Sequence, residues 1–120
     1  MSSLNVRING NHVVVLNQEQ TKVLHSWLLN FHNGWQDPIF KLANSMIANV
    51  PMDNNLMLEA AHALEQQHAH TQRMYAGTNK WMGARQLAIA NALAGMCLGI
   101  DPTTVIGKTV EFMQEYENKM

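Results

Sequence analysis

The sequence predicts a mainly α protein: a short N-terminal β-hairpin, then a compact bundle of about five helices, assembled as an oligomer. Three observations carry this expectation. Apolar residues recur at spacings of three and four over most of the chain after residue 17. Asp-Pro, Asn and Asp caps, with Gly and Pro stops, cut that pattern into pieces of helix length. The one segment with strand character, residues 4–16, turns on Asn9-Gly10. A chain of 120 residues is a single domain, residues 1–120, divided into a hairpin (1–16) and a helical bundle (17–120).

In the hairpin, Leu4, Val6 and Ile8 alternate with polar neighbours, which gives the first strand one wet face. Val13, Val14 and Val15 are continuous, so the second strand is expected to be buried on both faces or to pair with another chain. Two strands alone are marginal in water, so the hairpin must lie on the helices or join a second copy.

Asn17 and Gln20 form a capping-box pattern, and Val23, Leu24, Trp27, Leu28 and Phe31 make the apolar stripe of a first helix that Gly34 ends. Asp37-Pro38 supplies a cap and an N1 proline for the second helix. Its stripe is Ile39, Leu42, Ala43, Met46, Ile47 and Val50, and Pro51 closes it. Asp53 caps a third helix running to about Tyr75, before Gly77. Residues 79–98 form a fourth helix rich in small residues (Gly83, Ala84, Ala88, Ala90, Ala92, Ala94 and Gly95), which lets another backbone approach closely. Gly99 ends it. Asp101-Pro102 starts a last helix through about Glu117, with Val105, Thr109, Phe112, Met113 and Tyr116 turned inward.

Composition narrows the function. Hydrophobic residues make up 47% of the chain and charged residues only 14%, where about 25% is usual. The formal net charge is -1, so no basic face exists for duplex nucleic acid. Cys97 is the single cysteine, which excludes an internal disulfide and a multi-cysteine zinc site. No apolar run approaches the roughly 20 residues of a membrane span, and no signal-peptide core follows Met1. The expectation is a soluble, cytoplasmic protein without membrane or cofactor. Nine methionines and few charges fit a protomer that hides surface in a homo-oligomer or against a host protein.

Side-chain clusters then rank the chemistries. Glu59, His62, Glu65, His68 and His70 crowd one stretch of the third helix, and Glu59-x-x-His62 has the spacing used in di-iron bundles. No other helix offers a matching inward carboxylate, and His62 and His68 diverge by roughly 120° around the axis. A metal site through His62, Glu65 and His68 is the minor option. Catalysis has less support. Cys97 reads as a small buried hydrophobe, Ser26, His25 and Asp37 lack a strained nucleophile turn, and Gly107-Lys108-Thr109 lacks the context of a phosphate loop. A non-enzymatic protein is expected.

Binding is better placed. Trp81 and Arg85 lie one turn apart on the small-residue helix, where an indole can stack on a base and a guanidinium can clasp a phosphate. Asn91 offers both donor and acceptor. Thr104 sits at the start of the last helix, with Lys108 one turn further in. The small residues leave the hollow for a ligand. In the competing reading Trp81 is plain core, Arg85 pairs with Glu111 or Glu115, and Lys108 is solvated.

The hairpin with Ile8-Asn9-Gly10, the compact helical bundle and the positions Trp81, Asn91 and Lys108 together resemble a phage Thoeris anti-defence sponge family. Lys108 stands where that pattern is expected to carry arginine. The resemblance spans the whole architecture but only three widely spaced positions. It implies a non-catalytic oligomer that holds a cyclic ADP-ribose signal intact in pockets between protomers. The function expected is therefore sequestration of a small cyclic nucleotide immune signal, with Trp81, Arg85, Asn91, Thr104 and Lys108 as ligand contacts. The alternative is a host-takeover or anti-CRISPR-like inhibitor that covers a host protein with its Met-rich surface and the polar face around Gln66, Gln67, His68 and His70.

Overall fold

Local capping chemistry defines the helices of the computed structural model, which describes residues 13–74 and 80–119, with the side chains of 72, 74, 80–82, 118 and 119 outside that description. At the first cap the Asn17 side chain accepts from Gln20 N at 2.8 Å, and Gln20 Oε1 accepts from Asn17 N at 3.1 Å. This reciprocal box satisfies two donors that the first turn leaves without partners, and it starts α1 (Gln18–Leu29). Asp37 starts α2 (Pro38–Ser45) by accepting from Ile39 N at 3.0 Å, while its other oxygen accepts from Asn33 N at 2.8 Å. Asp53 Oδ1 accepts from the amides of Asn55 and Leu56 at the head of α3 (Asn54–Met74).

The end of α4 (Lys80–Cys97) is a paired C-terminal cap. Gly99 takes φ +96°, its amide donates to Met96 O at 3.0 Å, and Ile100 N donates to Gly95 O at 3.0 Å. A side chain at residue 99 would be strained in that left-handed conformation. Asp101 then caps α5 (Pro102–Lys119) by accepting from Thr104 N at 3.1 Å.

The core gathers the inward faces of all five helices. Leu24 and Leu28 of α1, Ile39 and Leu42 of α2, Met57 and Leu64 of α3 and Ile89 and Leu93 of α4 are all completely buried. Helix α5 contributes Ile106 and Met113. The most extensive helix–helix packing is between α3 and α4, where Ala60, Ala61, Ala90 and Ala94 leave room for close approach. The radius of gyration, 13.7 Å, is what about 120 compactly folded residues give. Among the described residues no helix is long and apolar enough to cross a membrane.

Three sequence expectations change. Most of the expected hairpin, residues 1–12 with its Asn9-Gly10 turn, lies outside the described residues. Of its second strand, Val15 forms an isolated antiparallel bridge with Pro51, flanked by Asn49 N donating to Leu16 O and Met52 N donating to Val14 O. Val14 and Leu16 are buried while Val13 and Val15 are exposed, so this segment alternates and is not covered on both faces. The second helix stops at Ser45, not near Val50: Met46 turns extended and Asn49 adopts φ +65°, which leaves Ile47 and Val50 exposed. Pro51 disfavours a helical residue before it, and the chain uses the freed segment to meet residues 14–16. In α5, Ile106 enters the core and Phe112 stays 42% exposed, because the core-facing line runs through 106, 109 and 113.

Candidate functional site

Helices α4 and α5 meet at the Gly99 turn and enclose an open groove of about 760 Å³ along their outer sides. On α4 the small residues Ala84, Ala88, Ala92 and Gly95 recur at three- and four-residue spacing beside Leu87 and Asn91, so much of the wall is low. On α5 the lining includes a stripe of Thr104, Lys108, Phe112 and Tyr116, each four residues after the last, with Val105 and Thr109 beside it. The Phe112 and Tyr116 rings lie 5.8 Å apart between centroids, inclined at 37°. A Cβ at Gly95 would stand 3.5 Å from Ile100 Cδ1 and 3.7 Å from Val105 Cγ2, ordinary contact distances.

Three of the five expected ligand residues share this groove. Asn91 lines it from α4, and Thr104 and Lys108 line it from α5. Asn91 and Lys108 form no hydrogen bond or ion pair among the described residues, so their polar groups are available to a guest. Thr104 is already held, its amide and hydroxyl directed at Asp101 Oδ2 at 3.1 and 3.4 Å. Arg85 is elsewhere: it is not among the residues that line the groove, and its guanidinium carbon sits 5.2 Å above the centre of the Phe31 ring. The Trp81 side chain lies outside the described residues.

His68 joins the groove from α3. Its Nδ1 lies 2.8 Å from Gly83 O, and because a carbonyl only accepts, Nδ1 carries the proton. His62 lines a different depression, between α2, α3 and α4, so the two imidazoles serve separate surfaces. Among the described residues no three His, Cys, Asp or Glu side chains converge to hold a metal ion. The polar face expected around Gln66, Gln67, His68 and His70 is divided in the same way, His68 on one side and the other three on the other.

Sequence reasoning placed Phe112 and Tyr116 in the core stripe and missed them as groove residues. The signal was present in the strict four-residue repeat with Thr104 and Lys108, since residues four apart lie one above another on a helix. Cys97 is buried, and desolvation raises its thiol pKa from 9.0 to about 11, which disfavours the nucleophilic thiolate.

Among the described residues the fold is mainly α, with five helices, and the α4–α5 groove is an amphipathic interhelical cleft of ligand size. Comparison of the sequence and the structure with family models, curated proteins and solved structures returns no match.

Proposed function

We propose that the α4–α5 groove binds a small nucleotide-type ligand and that the protein holds it without chemical turnover. The observation that supports this reading is the convergence of Asn91, Thr104 and Lys108 with two aromatic rings on one open cleft. Phe112 and Tyr116 offer π-faces for a base, Lys108 an ammonium for phosphate, and Asn91 a donor–acceptor pair for a base or ribose edge. Lys108 is the one lysine or arginine among the described lining residues, which suits a ligand of low charge density, such as a cyclised nucleotide, better than a triphosphate. The resemblance through Trp81, Asn91 and Lys108 narrows the ligand to a cyclic ADP-ribose-type immune signal, sequestered by a phage-type homo-oligomer in the host cytoplasm. Sequestration works by stoichiometry and requires a preformed pocket with slow release.

Calorimetric titration of the full chain with cyclic ADP-ribose isomers and cyclic dinucleotides tests this. Saturable binding that Lys108→Ala and Asn91→Ala weaken supports it, and silence across the panel overturns it.

A second reading has one observation in its favour. Val13, Val15, Ile47 and Val50 expose apolar surface on either side of the Val15–Pro51 bridge, a feature that suits contact with a second chain. On that reading the protein blocks a host enzyme, and retrieval of one stoichiometric host protein that the Lys108 and Asn91 variants still bind would favour it.

A further inference from the structure

A second depression, about 890 Å³, opens where α2, α3 and α4 meet, on residues separate from those of the α4–α5 groove. Its chemistry is different. Amides and carboxylates from Gln36, Asp37, Glu59, Gln66, Gln67 and Gln86 surround it, and among the described residues no lysine or arginine lines it.

Gln86 is the decisive residue. The residue is 96% removed from solvent, yet its buried side-chain Oε1 has no hydrogen-bond partner among the described residues. The orientation of that amide follows from its neighbours. Gln67 Nε2 donates to the backbone carbonyl of Phe31, a group that can only accept, so Gln67 presents Oε1 to Gln86. Gln86 must answer with its Nε2, which lies 3.3 Å away. Flipping either amide would set two donors or two acceptors face to face. The Gln86 carbonyl is therefore left as a buried acceptor beside the depression, a condition that costs free energy until a donor reaches it.

The carboxylates lining the depression are Asp37 and Glu59, and the imidazoles of His62 and His70 stand beside them. The two oxygens of Asp37 accept backbone amides at the start of α2. Glu59 is exposed and forms no hydrogen bond or ion pair among the described residues. A guest must thus bring donors and gains from carrying positive charge. A guanidinium group does both, with five N–H donors in a planar fork. The geometry points to a second binding site, at the α2–α3–α4 junction, that accepts a guanidinium group through Gln86 Oε1 and Glu59. This site goes beyond the nucleotide reading and does not depend on it.

The guanidinium could come from a free small molecule or from an arginine side chain, and one experiment distinguishes the two. The full chain is titrated by NMR with agmatine, with a blocked Gly-Arg-Gly peptide and with glucose as a neutral donor-rich control. Saturable shifts at the α2–α3–α4 junction with agmatine, the peptide or both support the site, and the tighter of the two identifies the source. Gln86→Met removes the buried acceptor with little change in volume and is expected to weaken binding about tenfold. Glu59→Gln, at an exposed position, is expected to weaken it severalfold and serves if the Gln86 variant does not fold. Lys108→Ala should leave it unchanged. The proposal is overturned if neither probe binds at about 10 mM, if glucose binds in their place, if Glu59→Gln and a folded Gln86 variant both bind as the parent does, or if Lys108→Ala removes the binding.

Discussion

The Arg85 guanidinium carbon lies 5.2 Å above the centre of the Phe31 ring, which joins α4 to the turn after α1. A residue whose spacing suits phosphate recognition is instead packed on an aromatic face that is itself almost fully buried. Stacking of this kind contributes about 0.5–2 kcal/mol, and the aliphatic stem adds packing. Arg85→Ala is therefore expected to lower stability by about 1 kcal/mol, about 4 °C in melting temperature for a domain of this size. Ligand affinity at the α4–α5 groove should stay within about twofold of the parent, since the residue does not line that cleft. Thermal unfolding followed by circular dichroism, with calorimetry alongside, separates the two effects.

Lys108 makes the opposite prediction. It is exposed on α5 with no hydrogen bond or ion pair among the described residues, so its removal should leave stability within about 0.5 kcal/mol. Lys108→Ala should weaken an anionic ligand by about tenfold, and the salt dependence of binding should flatten with it. A loss of affinity that does not vary with ionic strength would place Lys108 outside the ligand's electrostatic contacts.

The groove owes its volume to the small residues of α4, and that volume can be removed without touching a polar group. Ala88 is half-buried on the groove wall. Ala88→Trp should fill much of the cleft, abolish ligand binding and leave the helical circular-dichroism signal intact. Gly95→Ala is the mild counterpart: its new methyl would meet Ile100 and Val105 at ordinary contact distances, so the fold should tolerate it.

How far the sequence reaches is visible in these same residues. Caps at Asn17, Asp37, Asp53 and Asp101 are local chemistry, and each starts a helix where its pattern predicts. The end of α2 was harder, because Ile47 and Val50 continue an apolar spacing that only the encounter of residues 49–52 with residues 14–16 interrupts. Asn91, Thr104 and Lys108 could be placed together because two helices joined by a tight turn must run side by side. Arg85 could not: Phe31, 54 positions earlier, settles its direction, and no local spacing encodes that contact. The Gln67–Gln86 pairing is likewise a tertiary event, invisible until α3 and α4 are packed.

The buried thiol of Cys97 gives a stability profile with a definite sign. Burial raises its pKa to about 11 from the 9.0 of an unburied thiol, so between these values the folded chain holds a proton that the unfolded chain has lost. Stability from this group is complete below pH 9 and falls as pH rises toward 11, because there the unfolded state binds fewer protons. Urea titrations at intervals from pH 8 to about 11 should show this decline in the parent. In Cys97→Ala the part of the slope due to the thiol disappears, although the variant starts from lower stability because a well-packed side chain is lost. Equal slopes for the two proteins would mean that the thiol ionises as readily folded as unfolded, and that the end of α4 admits water.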